Sequence, residues 1–546
     1  MNLFNLAKSG LSTAHSALYV IGNNINNAPA GGYSRRDIII GEAGGLSTGK
    51  GFYGYGAQVN GVYRNNDSFL NGQVRGANSN AGALIGRFEQ LAEIDNMMGN
   101  SEANPSVSLN NFFAALKTLD NDPSAPAARQ AAFNTLGSVS YQFNTTAKRL
   151  SGLEKSTNSQ IEQSVREIND ATTQLAKLNE EIEKLTSQHG TPPGDLLDAR
   201  DSLLNQLSGQ LGIQVTENKE TGRMDVAMAD GRPLVSGNRS YPLQAAVSDA
   251  NPNKIVVSYV DSSGNAKELN EERFTAGKLG GLFKFRNEDL SKARNELNQM
   301  ALQMAGRFNE VNGGGFDANG AAGDDLFKVP DPTAFANRNN SGGATLNVTL
   351  TKPYSAVQAE DYTITMGAAG NWEVKGADGR VVPSAIDPVS SELTFDGLSV
   401  GVSGTADPGD SFMLNPASGV AENLDIAITS GDEIAAAGSP TGGESDNKNL
   451  ALLLGIQGEE LIGKATLTEA YSSLVSAIGS STSSLKADLK TADSVLKELG
   501  EKWQSVVGVN IEEEGMKLQM FTQYYNANAQ ILKTATTLFD ALLAIR

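Results

Sequence analysis

The residues whose types could do chemistry fall into four groups. Gly44-Gly45-Leu46-Ser47-Thr48-Gly49-Lys50-Gly51 is one residue short of a phosphate-binding P-loop. That loop needs a final Ser or Thr to reach magnesium, and Gly51 stands in its place. The expectation is a flexible Gly-rich loop. Gly45-Leu46-Ser47-Thr48-Gly49 also fits the G-x-S-x-G nucleophile elbow. An elbow serine needs an oriented base, and the chain has two histidines, His15 and His189, neither with charged neighbours. Asp317-Ala318-Asn319-Gly320 opens like a calcium loop, but the fifth ligand, the glycine at the sixth position and the Glu at the twelfth are missing. A tight acidic turn is expected. Trp372 and Trp503 read as core or interface anchors. The expectation is therefore a chain that is not an enzyme, with no catalytic, cofactor-binding or metal-binding residues.

The strongest pattern lies at the two ends. Phe4, Leu11, Leu18 and Ile25 recur every seven residues, and Ala7, Ala14 and Ile21 follow at a second line. Leu518, Tyr525, Leu532 and Phe539 repeat the period near the C-terminus, with Phe521, Asn528, Ala535 and Leu542 on the second line. This predicts a coiled-coil seam divided between the termini. Residues 1–30 and 510–546 should lie side by side, with Leu11 and Leu18 facing the C-terminal seam. A further apolar stripe, Met520, Tyr524, Ala527, Ile531, Leu538, Ala541 and Ile545, widens the C-terminal face. A helix apolar over so wide an arc is buried on more than one side, and neighbouring copies are the simplest cover.

Bulk composition narrows the class. The net charge of -19 disfavours nucleic acid and anionic membrane as partners. Cysteine is absent, which rules out disulfides, thiol nucleophiles and Cys-based zinc sites. No apolar run reaches membrane-spanning length, and residues 1–25 lack the features of a cleavable signal peptide. The expectation is a protein without membrane insertion, either cytosolic or exported by another route.

Along the chain, helical period alternates with β-prone segments. Ile161, Val165, Ile168, Thr172, Leu175, Ile182 and Leu185 mark a long helix closed by His189-Gly190-Thr191-Pro192-Pro193-Gly194. Met224, Val226 and Met228 alternate at period two, and Ile255–Val260 is a β-rich run. Helical period returns from Leu290 to Val311 and again along Tyr471–Leu499. The expected fold is multidomain α+β: a helical bundle and terminal coiled-coil helices built from both chain ends, with inserted β-rich outer domains. The expected divisions are 1–68 with 505–546 as an axial core domain and 69–211 with 286–315 and 445–504 as a helical bundle. A β-rich domain at 212–285 and a β-rich outer domain at 330–435 complete the set.

Ser9-Gly10-Leu11-Ser12-Thr13-Ala14-His15-Ser16-Ala17-Leu18, Asn23-Asn24-Ile25-Asn26-Asn27 and Gly32-Tyr33-Ser34-Arg35 resemble the N-terminal signature of bacterial flagellar axial proteins. Gly508-Val509-Asn510-Ile511-Glu512-Glu513-Glu514, Gln523–Ala529 and Phe539-Asp540-Ala541-Leu542 are similar to the other end of that group. Two internal segments, Gly280–Arg286 and Ser445–Leu452, are similar to the hook-associated family of the hook–filament junction. Ala30 and Asn26 depart from the usual Thr and Ala, both within the connecting loop.

The resemblance implies an extracellular structural subunit of the flagellum, secreted through the flagellar type III exporter without a cleavable signal. It implies four partners: further copies in a homo-oligomeric layer, the hook protein, a second hook–filament junction protein and an export chaperone at the C-terminal helix. The expected subunit-interface and axial-core residues are Phe4, Leu11, Leu18, Ile25, Leu518, Phe521, Tyr525, Leu532, Phe539 and Leu542. Two alternatives stand beside this reading: a hook or rod subunit, and an axial protein that displays an adhesin or enzyme module over 344–428.

Overall fold

The computed structural model describes residues 3–544 except 50, 100–103, 219–220, 388–391 and 444; the side chains of His189 and Leu542 also lie outside the description. Helix α1 (Leu3–Asn27) leads into two antiparallel pairs, β1 (Arg36–Glu42) with β4 (Ala57–Arg64), and β2 (Gly45–Thr48) with β3 (Gly51–Gly54). The stretch expected as a flexible Gly-rich loop is thus a β-hairpin. Gly51, which pairs with Thr48, has a φ of 135° that suits only glycine.

Helices α2 (Ser68–Met98), α3 (Pro105–Asn121), α4 (Pro126–His189) and α5 (Gly194–Gln210) follow. Asn104 caps α3 by accepting from the Val107 N–H, and Pro105 takes the first turn, where its missing donor costs nothing. Gly190, at φ 72°, ends α4 in the left-handed conformation that closes helices. The 64 residues of α4 give it a length of about 96 Å.

Strands between Ile213 and Glu268 form two small antiparallel sheets. Met224–Met228 alternates buried and half-buried positions, as its period-two pattern requires. The segment expected to be β-rich up to 285 instead ends in helix α6 (Gly277–Lys284), because Leu279, Leu282 and Phe283 recur at helical spacing and are buried. A π-helical turn, Phe285–Leu290, joins α6 to α7 (Ser291–Gly313).

The outer segment holds two four-stranded antiparallel sheets. One has the order Ala334–Ala336, Ser411–Leu414, Tyr362–Met366, Trp372–Lys375, and the other Thr345–Leu350, Leu398–Ser403, Leu393–Phe395, Ala385–Ile386. Tyr362 joins them, with its ring 5.3 Å from Phe395 and its hydroxyl donating to Asp396 at 2.8 Å. Short α8 (Val420–Asn423) and α9 (Lys448–Gly455) precede α10 (Leu467–Val507) and α11 (Ile511–Leu543). Thr466 and Glu469 form a capping box that starts α10.

Two hydrophobic cores share α4. Leu136, Val139, Phe143 and Leu150 belong to one, together with α3, α7, α9, the first half of α10 and the facing sides of the outer sheets. Ile161, Val165, Ile168 and Leu175 belong to the other, with α5, α6 and the sheets of 213–269. The π-turn clamps both sides of this arrangement. Arg286 donates to Glu271 at 2.6 Å and to Asn158 on α4 at 2.9 Å, while Asp289 accepts from Nε and Nη2 of Arg87 on α2 at 2.7 and 2.8 Å. The α2–α6 crossing is tight enough that a Cβ on Gly281 would strike the Ala83 backbone, and one on Gly86 would meet the Lys278 carbonyl. The Gly280-Gly281 pair is therefore a packing requirement.

Phe308 on α7 sits among Phe112, Phe113 and Phe327 with ring centroids at 5.4, 5.9 and 6.2 Å. Phe308→Ala should cost about 3–5 kcal/mol by loss of burial plus a cavity. Urea unfolding of the purified chain checks this, with exposed Tyr141→Ala expected to stay within about 0.5 kcal/mol.

Candidate assembly interface

Helices α1 and α11 lie against each other in antiparallel orientation. The site expected for a Cβ on Gly10 is filled by the Asn528 carboxamide, and fourteen residues further along α1 the Asn24 Nδ2 donates to Glu514 Oε2 at 2.9 Å. The line facing α11 thus runs through Gly10, Ala17 and Asn24, with Ala7, Ala14 and Ile21 buried beside it. On α11 the buried line is Glu514, Asn528 and Ala535, with half-buried Phe521 between them. Small side chains let the two backbones come close, but they bury little apolar area.

Polar contacts supply what apolar burial does not. Asn24 uses its whole hydrogen-bonding capacity. It donates to the Arg36 carbonyl at 2.8 Å and to Glu514, and it accepts from the Arg36 N–H and the Tyr33 hydroxyl, each at 3.0 Å. Glu514 also accepts from Lys517 at 2.8 Å, and Lys517 reaches Asp37 at 3.2 Å. Burial disfavours the charge on Lys517, but its hydrogen bonds to Glu514 and Asp37 outweigh that and its pKa is raised. Burial raises the Tyr33 pKa, against the opposing pull of Arg36.

A second cluster moors this unit to the stem. Arg64 donates to Asp198 at 3.0 Å and to Asp201 at 2.7 Å, both on α5. Arg36 lies 3.6 Å from Asp198, and Arg200 donates to Asp201 at 3.3 Å. The Arg35 N–H donates to the Val507 carbonyl at the end of α10, 2.8 Å away. The Trp503 indole donates to Asn71 on α2 at 2.9 Å, so this tryptophan is an anchor between helices. Asn510 caps α11 by accepting from the N–H groups of Glu512 and Glu513, and the three acidic residues of the first turn suit the helix dipole.

The expected interface residues occupy different places. Leu11, Leu18 and Ile25 are half-buried on a flank of α1, and Phe4 is 43% exposed. Leu518 and Tyr525 are 38% and 39% exposed, Phe539 is 57% exposed, and Phe521 and Leu532 are half-buried. The side chain of Leu542 lies outside the described residues. The helix contact therefore runs between the two apolar stripes of α11, not along the Leu518–Phe539 line. Ranking positions by hydrophobicity passes over alanine and glycine, whose value here is size. Asn24, Arg36, Arg64, Asp198 and Glu514 escaped that ranking for the same reason. Asn24 could have been found as the polar member of the Gly10–Ala17–Asn24 heptad.

Elsewhere, Asp317 accepts from the N–H groups of Asn319 and Ala321, each at 2.8 Å, which makes the acidic segment a turn. Among the described residues no group of His, Asp and Glu is arranged to hold a metal, and no helix is long and apolar enough to cross a membrane.

Comparison with known proteins fixes the family. The flagellar hook-associated protein 1 of Escherichia coli K12 is 38% identical over the full length of both chains, as is that of Salmonella typhimurium LT2. The chain belongs to the flagellar hook-associated protein 1 family. The family models for the FlgK helical domain and for the D2-like domain of flagellar hook-associated protein 1 match residues 91–327 and 335–416. The flagellar hook junction protein FlgK of Burkholderia pseudomallei superposes with a TM-score of 0.72 at 25% identity, covering 80% of this chain and all of that one. Members of the hook-associated protein 1 family are structural components of the extracellular flagellum, and this multidomain α+β chain is one of them.

Arg64→Ala removes a guanidinium that is 5% exposed and leaves two partly buried carboxylates without their main partner. The mooring of the terminal unit should weaken by about 3–5 kcal/mol. Limited proteolysis is expected to cut faster around residues 28–34 and 508–510, while the thermal unfolding of the rest of the chain stays unchanged.

Proposed function

We propose that this chain is the adapter subunit between hook and filament, polymerising through its terminal helices. The observation that carries this reading is the placement of large apolar side chains. Most of those exposed on the described chain lie on α1, the hairpins of β1–β4 and α11. On α11 they form two shoulders, Leu518–Tyr525–Phe539 on one side of the contact with α1 and Tyr524–Ile531–Leu538 on the other. Contiguous exposed apolar surface of this kind marks an interaction site. Two shoulders on one helix suit a subunit with a neighbour on each side, the heterologous arrangement that closes into a ring or continues as a helix.

The same reading assigns the partners. Copies of this chain cover the shoulders within the layer, the hook protein lies below, and a second junction protein lies above. A flagellar export chaperone covers Met520–Ile545 before secretion and blocks premature assembly. Export proceeds through the flagellar type III apparatus without a cleavable signal peptide. Phe4, Leu11, Leu18, Ile25, Leu518, Phe521, Tyr525, Leu532, Phe539 and Leu542 act in the axial core, the exposed ones toward neighbours. The proposed division keeps 1–68 with 505–546 as the axial unit and treats 330–435 as an outward module. The match of residues 335–416 to a domain of the same family supports a structural role for that module over a grafted enzyme or adhesin. Full-length identity to hook-associated protein 1 supports the junction over the hook or rod.

Phe539→Asp is the test. The side chain is exposed in the single chain, so expression and unfolding should be normal. In the assembled layer a carboxylate there would be buried without a partner, at about 3–5 kcal/mol per subunit. Cells carrying Phe539→Asp should build hooks without filaments, as should a deletion strain, whereas exposed Lys533→Asp should be tolerated. Full filaments with Phe539→Asp would overturn the proposed interface; loss of the hook on deletion would point to a hook or rod subunit.

A further inference from the structure

We infer that the Asn24–Glu514 pair selects which face of α11 turns toward α1, and so keeps the apolar shoulders free for neighbouring copies. The inference rests on the reading of α11 as the polymerising helix, and it deepens that reading. By apolar area alone, α11 has a better face to offer. Leu518, Tyr525, Leu532 and Phe539 carry more carbon than Phe521, Asn528 and Ala535, and they lie only about 50° around the helix from that line at 3.6 residues per turn. A rotation of that size would bury the Leu518–Phe539 shoulder against α1 and leave only the Tyr524–Ile531–Leu538 shoulder for a neighbouring copy. The hydrophobic effect, which follows area, favours the rotated form.

The observed pair resists it. Glu514 is fully buried, yet it belongs to the first turn of a helix whose other early carboxylates, Glu512 and Glu513, are exposed. A carboxylate is tolerated there because Asn24 and Lys517 each give it a hydrogen bond. Asn24 cannot swing away to follow a rotating α11. Three of its four hydrogen bonds go to Tyr33 and Arg36, within its own end of the chain, so its Nδ2 is aimed before α11 arrives. Rotation would leave that donor facing carbon and carry Glu514 away from its acceptor position. Gly10 supports the same choice further along, because only glycine leaves room for the Asn528 carboxamide. Asn24 and Glu514 are thus positioning residues: they act through the orientation they impose on α11.

The absence of cysteine makes a direct test possible. Ala17 lies midway between Gly10 and Asn24, and Phe521 lies midway between Asn528 and Glu514, so Ala17 faces Phe521 in the observed orientation. Two double variants of the full chain are oxidised with copper phenanthroline: Ala17→Cys with Phe521→Cys, and Ala17→Cys with Leu518→Cys. The intramolecular disulfide is read as a mobility shift. In the otherwise native chain the 17–521 product should exceed the 17–518 product about tenfold. Glu514→Leu should reverse that preference, and Glu514→Gln, which keeps an acceptor for Asn24, should retain it. An unchanged ratio in Glu514→Leu would overturn the inference. So would equal yields of both products in any of the three backgrounds, since α11 would then have no selected face there. Neither result depends on filament growth, so failure here is distinguishable from failure of the Phe539→Asp test.

Discussion

The polar knot around Asn24 is the contact on which the two ends of the chain depend. None of the buried residues of α1 belongs to either hydrophobic core. The α1–α11 contact is lined by alanine, glycine and asparagine, and such a contact gains little from the hydrophobic effect. It is held in place by hydrogen bonds that have no alternative partners. Asn24 is saturated by Tyr33, Arg36 and Glu514, and Glu514 is bridged through Lys517 to Asp37. Fully satisfied buried networks specify one arrangement more sharply than apolar packing does, because each partial rupture strands a polar group. The contact between the two ends is therefore ordered by direction and not by area.

The rest of the molecule holds that knot at a defined place. Helix α4 passes through both cores, so the two β-rich regions share one rigid axis. The terminal unit is tied to this axis by two routes. Asp198 and Asp201 extend from α5, which is packed in the second core, to Arg36 and Arg64. Helix α10 leaves the first core after Leu485 and continues along α2 to Val507, whose carbonyl receives the Arg35 N–H. One tie is ionic and the other is backbone, and they reach the end of the β1–β4 pair, where Arg36 faces Arg64, from different cores. A tilt of the terminal unit would have to break one or stretch the other.

Much of this was legible in the sequence, and the limits have a physical cause. Period gave the helices: Ile161–Leu185 marked part of α4, Gly190 marked its end, and the pairing of the two chain ends followed from matched heptads. The facing residues followed only in part: Phe521, Asn528 and Ala535 stand on the second heptad line of α11, whereas Gly10, Ala17 and Asn24 stand on neither line of α1. A heptad of large residues normally marks the seam, because in a dimeric coiled coil the largest burial lies there. Here the seam is the small line, and the large lines stay partly exposed on the single chain. The Gly44–Gly51 segment failed differently, since glycine reports permitted conformations and not which one is adopted; pairing with Leu46, Phe52 and Tyr53 makes it a hairpin. The stretch 277–284 lies too close to a β-rich region for composition to separate it, and only its burial on α2 shows why it is helical.

Charge placement completes the argument for the ends as contact surfaces. The chain carries a net charge of -19, which would set copies against one another if it were spread evenly. It is not. Helix α1 contains no Asp or Glu, and α11 contains none between Glu514 and Asp540, where Lys517 and Lys533 are the charged residues. The acidic excess sits on the stem and the β-rich regions. At physiological ionic strength, exposed charges separated by more than about 8 Å are largely screened from one another. The proposed contact surface, which presents Leu518, Tyr525, Leu538 and Phe539, therefore lies apart from most of the chain's net charge.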